Sequence, residues 1–203
     1  MATHLPTTRD GLLRGRQQLQ RVDKGVRLVR RKREALVAEL FRRARDATDA
    51  RAAVVRQATR AWPPLLAALA VHGERGLRAF AWSDGELAVA LRPIRVWGIP
   101  ASELTTPVSL RRSLDDRGVA PGGAGPSVTE TAEQFERLGE LLLNVAAREQ
   151  VLRRLGDAVA QTSRLLRTLE TRVEPSLRAA VNTVRQALDE REREEQHRLK
   201  RFR

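Results

Sequence analysis

The chain has 203 residues, a formal net charge of +13 and no cysteine, and only seven of its residues are aromatic, none of them tyrosine. Without cysteine there is no disulfide framework, no thiol nucleophile and no Cys-ligated zinc. With so few aromatics, a thick globular core is not what fills the molecule. Leu, Val and Ala carry the apolar content, and Arg and Glu carry the charge, a mixture typical of long helices and coiled coils. Residues 1–11 lack the apolar stretch of a secretory signal. The most apolar segment, Trp62–Val71, is about half the length needed to cross a bilayer. The expectation is a soluble chain without membrane insertion.

Taken in chain order, residues 9–61 contain no proline, and their apolar residues recur at helical spacing. Leu19, Val26, Leu40, Ala47 and Val54 lie on one seven-residue track; Val22, Val29, Leu36 and Ala50 lie on a second, three residues further on. Such paired tracks form the seam of a coiled coil. Thr7 or Thr8 is placed to cap the first free amides, and Asp10 favours the positive end of the helix. The stretch predicts a rod of roughly 80 Å. Trp62-Pro63-Pro64 predicts a kink near 62–64, so the first long helix is assigned residues 1–71.

Residues 72–126 read as an insert. Helical periodicity fades, and short apolar runs appear at 77–82, 87–91 and 94–99. Ser83-Asp84-Gly85 offers a tight turn between the first two. A small β-hairpin or meander is expected there, followed by a flexible connector, GVAPGGAGP, at 118–126.

Residues 127–203 form the second long helix. Leu138, Val145, Leu152, Val159, Leu166 and Val173 repeat every seven residues, and Leu141, Leu155 and Leu169 follow alternate members by three. Ser127 and Glu130 fit a capping box. Pro175 is expected to bend the helix, because it removes one backbone bond and clashes with the preceding turn. The fold class expected is mainly α: a long antiparallel two-helix coiled coil with a small β-hairpin insert between the helices. In such a hairpin, residue numbers at one level sum to about 200, and both chain ends emerge together, opposite the insert, at the tip of a stalk.

Chemistry is sparse. There is no phosphate-binding glycine loop with its lysine, and the histidines, His4, His72 and His197, lack metal-binding spacing. The carboxylates of the last segment alternate with arginines as helical ion pairs do. No catalytic residue, cofactor site or metal site is expected. Positive charge is concentrated instead. Arg9, Arg14, Arg16, Lys24, Arg30, Arg31 and Lys32 lie in the first helix; Arg191, Arg193, Arg198 and Lys200 lie in the last. The antiparallel pairing brings these to one end, an anion-facing surface for nucleic acid or an acidic protein. Gly11, Gly15, Gly25, Gly139 and Gly156 sit inside helices at a cost, which marks either close approach of another backbone or compositional drift.

The residues that carry this pattern resemble a known family. PTTRDGLLRGRQQLQRVDKGVRLVRRKREALVAEL resembles the amino-terminal signature of the D subunit of V-type and A-type ATPases, through Pro6, Thr7, Arg9, Leu12, Leu13, Leu19, Lys24, Gly25, Leu28, Lys32, Arg33, Ala35 and Leu36. ALDEREREEQHRLKRFR resembles the closing motif of that family. Pro175 within RVEPSL, and Val96-Trp97-Gly98 followed by Pro100, are similar to features of it. Departures are the extra Thr8, the Trp62-Pro63-Pro64 step, the GVAPGGAGP connector and an end at Arg203 without a polar tail.

The resemblance implies a central-stalk rotor component of a rotary ATPase (ATP synthase), without catalysis or bound cofactor of its own. It implies transmission of torque between a head of three A and three B subunits and a proton- or sodium-driven membrane ring. The further partners implied are the F subunit of the stalk and the C/d ring adaptor, with the complex peripheral at the cytoplasmic face of the membrane. The basic residues would then face the head, the seam would be Leu19, Val22, Val26, Val29, Leu36, Leu40, Leu152, Val159, Leu166 and Val173, and Trp82, Val96 and Trp97 would face the F subunit and the lower stalk. Two other readings stand beside it. A basic coiled coil that binds nucleic acid explains the charge but not the insert. A membrane-surface coiled coil needs aromatic residues along an apolar face.

Overall fold

Thr8 starts the first helix. Its hydroxyl accepts the backbone N–H of Gly11 at 3.0 Å and its carbonyl accepts that of Leu12 at 2.9 Å, so one side chain satisfies a donor that has no partner within the helix. The computed structural model describes residues 5–80, 89–105, 109–112 and 125–201. They form helix α1 (Arg9–Phe80), strands β1 (Leu91–Val96) and β2 (Ile99–Leu104), helix α2 (Pro126–Thr168), a π-helical turn (Leu169–Val173) and helix α3 (Glu174–Arg201). This is the expected class, mainly α with a small antiparallel hairpin between long helices.

Four local expectations are corrected. Pro63 and Pro64 lie inside α1, and the departure from helical dihedrals is at Gly73 (φ 65, ψ 172) rather than at 62–64. Each proline forfeits one backbone bond, but its fixed φ is helical. Meanwhile the seven-residue track continues through Ala47, Ala61 and Ala68, all buried. Glycine alone reaches the dihedrals at 73 without strain, so the chain bends there. The helix then carries on to Phe80, so residues 77–80 are helical instead of strand; Trp82 and the Ser83-Asp84-Gly85 turn lie outside the described residues. Of the connector, residues 118–124 lie outside them too.

The hairpin turn is Trp97-Gly98, inside what reads as a single apolar run at 94–99. Gly98 (φ 81) and Trp97 (φ 53) both take positive φ, and the strands pair in register from Val96↔Ile99 to Leu91↔Leu104. At the start of α2 the capping box does not form. Pro126 is the first helical residue, where its missing N–H costs nothing, and Gly125 accepts the amides of Val128 (3.0 Å) and Thr129 (3.4 Å). Ser127 is therefore already within the helix, its carbonyl accepting the Thr131 hydroxyl at 2.6 Å. Pro175 is met by the π-helical turn just before it, in which the Glu174 N–H reaches back to the Leu169 carbonyl. The wider turn takes up the mismatch that a proline imposes on the preceding carbonyls.

The chain divides into two compact units, Met1–Ala38 with Asp157–Arg203, and Glu39–Gly156. In the first, α1 runs antiparallel to the π-turn and α3. Arg9 pairs with Glu192 at 2.8 Å and Arg30 with Glu170 at 2.6 Å, the numbers summing to about 200. Its core is aliphatic: Val26, Leu36, Leu166, Leu177, Val181 and Val184 are buried, while Leu19, Val22, Val29, Val159 and Val173 are half-buried. Gly15 is small for a reason, since a Cβ there would stand 2.9 Å from Val181 Cγ2 and 2.8 Å from Leu5 Cδ1. Gly11 is likewise pressed by the Pro6 carbonyl, whereas Gly25 faces open space.

In the second unit α1 runs antiparallel to α2. Arg51 pairs with Glu149 at 2.6 Å, and Arg148 donates to the Asp46 carbonyl at 3.2 Å. The core holds Ala47, Ala61, Ala68, Val128, Val145, Val151 and Leu155, together with two polar residues, Gln57 and Thr131. Leu40 and Leu152 are only half-buried, and Val151 and Leu155 lie deeper. A Cβ on Gly139 would meet Leu110 Cδ1 at 2.6 Å, while Gly156 has nothing within 4 Å.

Candidate partner-binding surfaces

The cations singled out in the first unit separate into two groups. Arg9 and Arg30 bridge to the opposite helix, Arg14 pairs with Asp10 one turn earlier at 2.6 Å, and Arg191 donates to the Thr7 carbonyl at 3.4 Å. These guanidiniums are spent on the unit's own structure. The hydrogen bond to Glu170 raises the pKa of Arg30 above its ordinary value. Arg16, Lys24, Arg31, Lys32, Arg193, Arg198 and Lys200 are all exposed, and no ion pair among the described residues engages them. That second group is the outward-facing charge. The Arg9–Glu192 and Arg191–Thr7 contacts set residues 7–9 beside residues 191–192, whereas Arg31 and Lys32 lie roughly 30 Å further along α1, so the cations are spread along the unit.

In the second unit the surface differs. Phe41, Val55 and Trp62 lie on a seven-residue track of their own, off the seam, with Leu66 one turn further; all four are exposed. Phe135 of α2 meets Trp62 edge to face, ring centroids 6.4 Å apart at 86°. Leu142, seven residues after Phe135, is exposed as well. A sequence reading that seeks only the track facing the partner helix overlooks this stripe. The spacing of Phe41, Val55 and Trp62 is the available signal. The track is bordered by Arg45, Arg56 and Arg60, exposed cations without ion pairs among the described residues.

Beside the stripe a knot of charges joins helix to hairpin. Glu39 accepts from Arg42 Nη2 at 2.6 Å, Arg42 Nε at 2.9 Å and Arg43 Nε at 2.7 Å. These bonds hold its carboxyl at a pKa of about 2, against an ordinary 4.5. Arg43 also reaches Glu103 of β2 at 3.9 Å. Of the hairpin residues named from the sequence, Val96 is buried on the inner face and Trp97 is exposed at the tip; Trp82 lies outside the described residues.

Among the described residues no group of His, Asp and Glu side chains is arranged to hold a metal ion. No described helix is long and apolar enough to cross a membrane. Comparison with known proteins agrees with the resemblance in the two terminal motifs: the family model for the D subunit of ATP synthase matches residues 11–203. The chain belongs to the ATP synthase D-subunit family. It is 41% identical to the V-type ATP synthase D subunit of Anaeromyxobacter dehalogenans strain 2CP-C, over 97% of this chain and 94% of that one. It is 36% identical to the V-type ATP synthase D subunit of Thermus thermophilus, over 96% of this chain and 86% of that one. It is 31% identical to the A-type ATP synthase D subunit of Methanoregula boonei, over 96% of this chain and 93% of that one. As a member of this family it is a structural, non-catalytic stalk component of a V/A-type ATP synthase complex.

Proposed function

We propose that this chain is the central rotor shaft of its complex, passing torque between the catalytic head and the ion-translocating ring. The observation that carries the reading is the first unit: two antiparallel helix segments bridged by interhelical ion pairs, with an aliphatic seam inside and exposed cations outside. A member that transmits torque needs bending stiffness, which paired helices supply. It must also turn within its housing without one deep well, and a surface of exposed Arg and Lys with few large aromatic anchors suits that, because buried aromatics make strong fixed contacts. Arg16, Lys24, Arg31, Lys32, Arg193, Arg198 and Lys200 face acidic groups of the A and B head subunits. The stripe of the second unit and the hairpin face the F subunit of the stalk and the ring adaptor. The assembly is peripheral, at the cytoplasmic face of the membrane.

The test is co-purification with the A and B head and with the F subunit. A 1:1 pair with F that inserts into a three-fold head supports the reading. A folded chain that binds neither, and that shifts nucleic acid in a salt-dependent manner, overturns it. Arg31→Glu with Lys32→Glu is a cleaner probe of the head surface than any change at Arg30, whose charge is already used by Glu170. Weaker assembly or a lower coupled ATPase rate is expected.

A further inference from the structure

The hairpin contains a residue that its own fold does not use. A two-residue turn with positive φ at both positions is the type that matches strand twist, and its first position favours Asn, Asp or Gly. Here that position is Trp97, at φ 53. A bulky side chain in the left-handed region is strained, and such strain persists where something other than local stability selects it. Nothing described within the chain rewards it: the indole is 60% exposed and has no ring partner among the described residues.

Each edge of the same hairpin carries a proline that disfavours another strand. Val96 and Ile99 flank the turn as a hydrogen-bonded pair, and the Thr105 N–H to Ala90 carbonyl bond at 3.1 Å keeps that alternation to the open end. The outward-pointing backbone positions are then 91, 93 and 95 on β1 and 100, 102 and 104 on β2. Pro93 and Pro100 fall on these positions, one per edge, and each removes the donor that an added strand would need. Strand addition is disfavoured on both sides, and the tip remains. The outer face beside it exposes Leu91, Pro93, Arg95 and Pro100, and Arg95 has no ion pair among the described residues.

We propose that Trp97 is a plug: its indole enters an apolar pocket on a neighbouring stalk protein, with a carboxylate at the rim to meet Arg95. The proposal rests on the reading of the hairpin as a contact surface of the stalk, and it adds the manner of engagement. A protein pocket is favoured over lipid because the chain belongs to a multisubunit complex and the tip offers one ring, not the broad apolar face by which surface-bound elements hold a membrane.

Two measurements test it. Hydroxyl-radical footprinting read by peptide mass spectrometry compares Trp97 in the isolated full chain and in the assembled complex, and with anionic lipid vesicles added to the isolated chain. Expected is ready oxidation in the free chain, strong protection in the complex and no protection by vesicles. Equal oxidation in free chain and complex, or protection by vesicles alone, overturns the plug. The second is Trp97→Asn, which installs the favoured Asn-Gly turn and so keeps or improves the hairpin. Affinity for the stalk partner falls by at least about tenfold if the ring is an anchor. Unchanged affinity overturns the plug while the rotor reading stands. Failure of the unaltered chain to join the head or the other stalk proteins overturns the rotor reading itself.

Discussion

The two units are built from the same heptad pattern and use it in opposite ways. Glu39–Gly156 buries three alanines and a glutamine along α1 and leaves Phe41, Val55, Trp62 and Leu66 outside. Residues Met1–Ala38 with Asp157–Arg203 bury Val26, Leu36, Leu166, Leu177, Val181 and Val184, and expose Leu13, Leu28, Leu165 and Leu199 among many charged side chains but no described aromatic ring. Folding alone favours the second arrangement, since each large apolar side chain gains by leaving water. Along α1 of Glu39–Gly156, large apolar residues stay outside while alanines are buried, and that outer face is the contact surface proposed above. On the proposed reading, the first unit slides past charged neighbours and the second holds one.

The comparison breaks most visibly at the deepest leucines. Leu36 and Leu155 are the largest fully buried side chains, one in each unit. Truncating either to alanine is expected to cost about 2–5 kcal/mol, the transfer term plus the cavity left behind. Tryptophan fluorescence reads the second unit, because Trp62, Trp82 and Trp97 all fall within Glu39–Gly156, whereas helical circular dichroism reads both. Leu155→Ala should lower the urea midpoint seen by tryptophan fluorescence, and Leu36→Ala should lower the midpoint for loss of helical circular dichroism. A cost below about 1 kcal/mol for Leu36→Ala would mean that the first unit is not held by its aliphatic seam.

Next in size is the polar core of the second unit. Gln57 is buried and donates to the Gln134 carbonyl at 3.1 Å and to its side-chain Oε1 at 2.7 Å. Gln57→Leu should destabilise by about 1–3 kcal/mol, because Gln134 keeps its acceptor and loses the donor. Adding Gln134→Leu removes the stranded group and should recover most of the side-chain share. Chemical denaturation of both variants checks this, and equal stability of the single and double variants would assign the burial of Gln57 to packing alone.

How much of this is visible in the residues depends on which force decides each feature. The helices, their antiparallel return and the aliphatic seam follow from seven-residue spacing, so Leu36 and Leu166 can be named directly. The path through Pro63 and Pro64 is misread when a local penalty is weighed and the continuing track of Ala47, Ala61 and Ala68 is not. Alanine is a weak signal in a sequence, yet it packs a close helix pair well. The position of the hairpin turn is obscured by two tight-turn candidates, Asp84-Gly85 and Trp97-Gly98, of which the second breaks the usual residue preference. Which cations face outward is not legible at all. Arg30 and Arg31 are adjacent and chemically equal, and only the position of Glu170 on the returning helix tells them apart.

A smaller effect on the isolated chain, with a larger one on assembly, is expected at the exposed stripe. Trp62→Ser removes one edge-to-face contact with Phe135, a loss of about 0.5–1.5 kcal/mol in stability. If the stripe seats a partner, binding of the other stalk proteins should fall by at least about tenfold, as for a central aromatic at an interface. Titration of the variant against the F subunit, with thermal unfolding of the free chain as the control, separates the two. Loss of stability without loss of binding would return the stripe to an incidental feature of the coil.

The smallest effect tests the charge knot of the same unit. The Glu39 carboxyl is at about 2 when folded, against an ordinary 4.5, chiefly through the hydrogen bonds from Arg42 and Arg43. Between those values the unfolded chain binds the proton more readily, so stability rises with pH across the window. The contribution is complete above 4.5 and is lost as pH falls toward 2. Glu39→Gln cannot titrate and cannot pair as an anion, so it should be less stable than the parent at pH 7 and should approach it as the pH falls through the window. Urea midpoints by tryptophan fluorescence at pH 7, 4 and 3 read the unit that contains Glu39. A difference between parent and variant that stays constant across those pH values would show that Glu39 acts through packing, since a shape term does not titrate. Added salt divides the remainder: screening weakens the pairing of exposed charges, whereas the side chain of Glu39 is only 14% exposed and its bonds to Arg42 and Arg43 should persist.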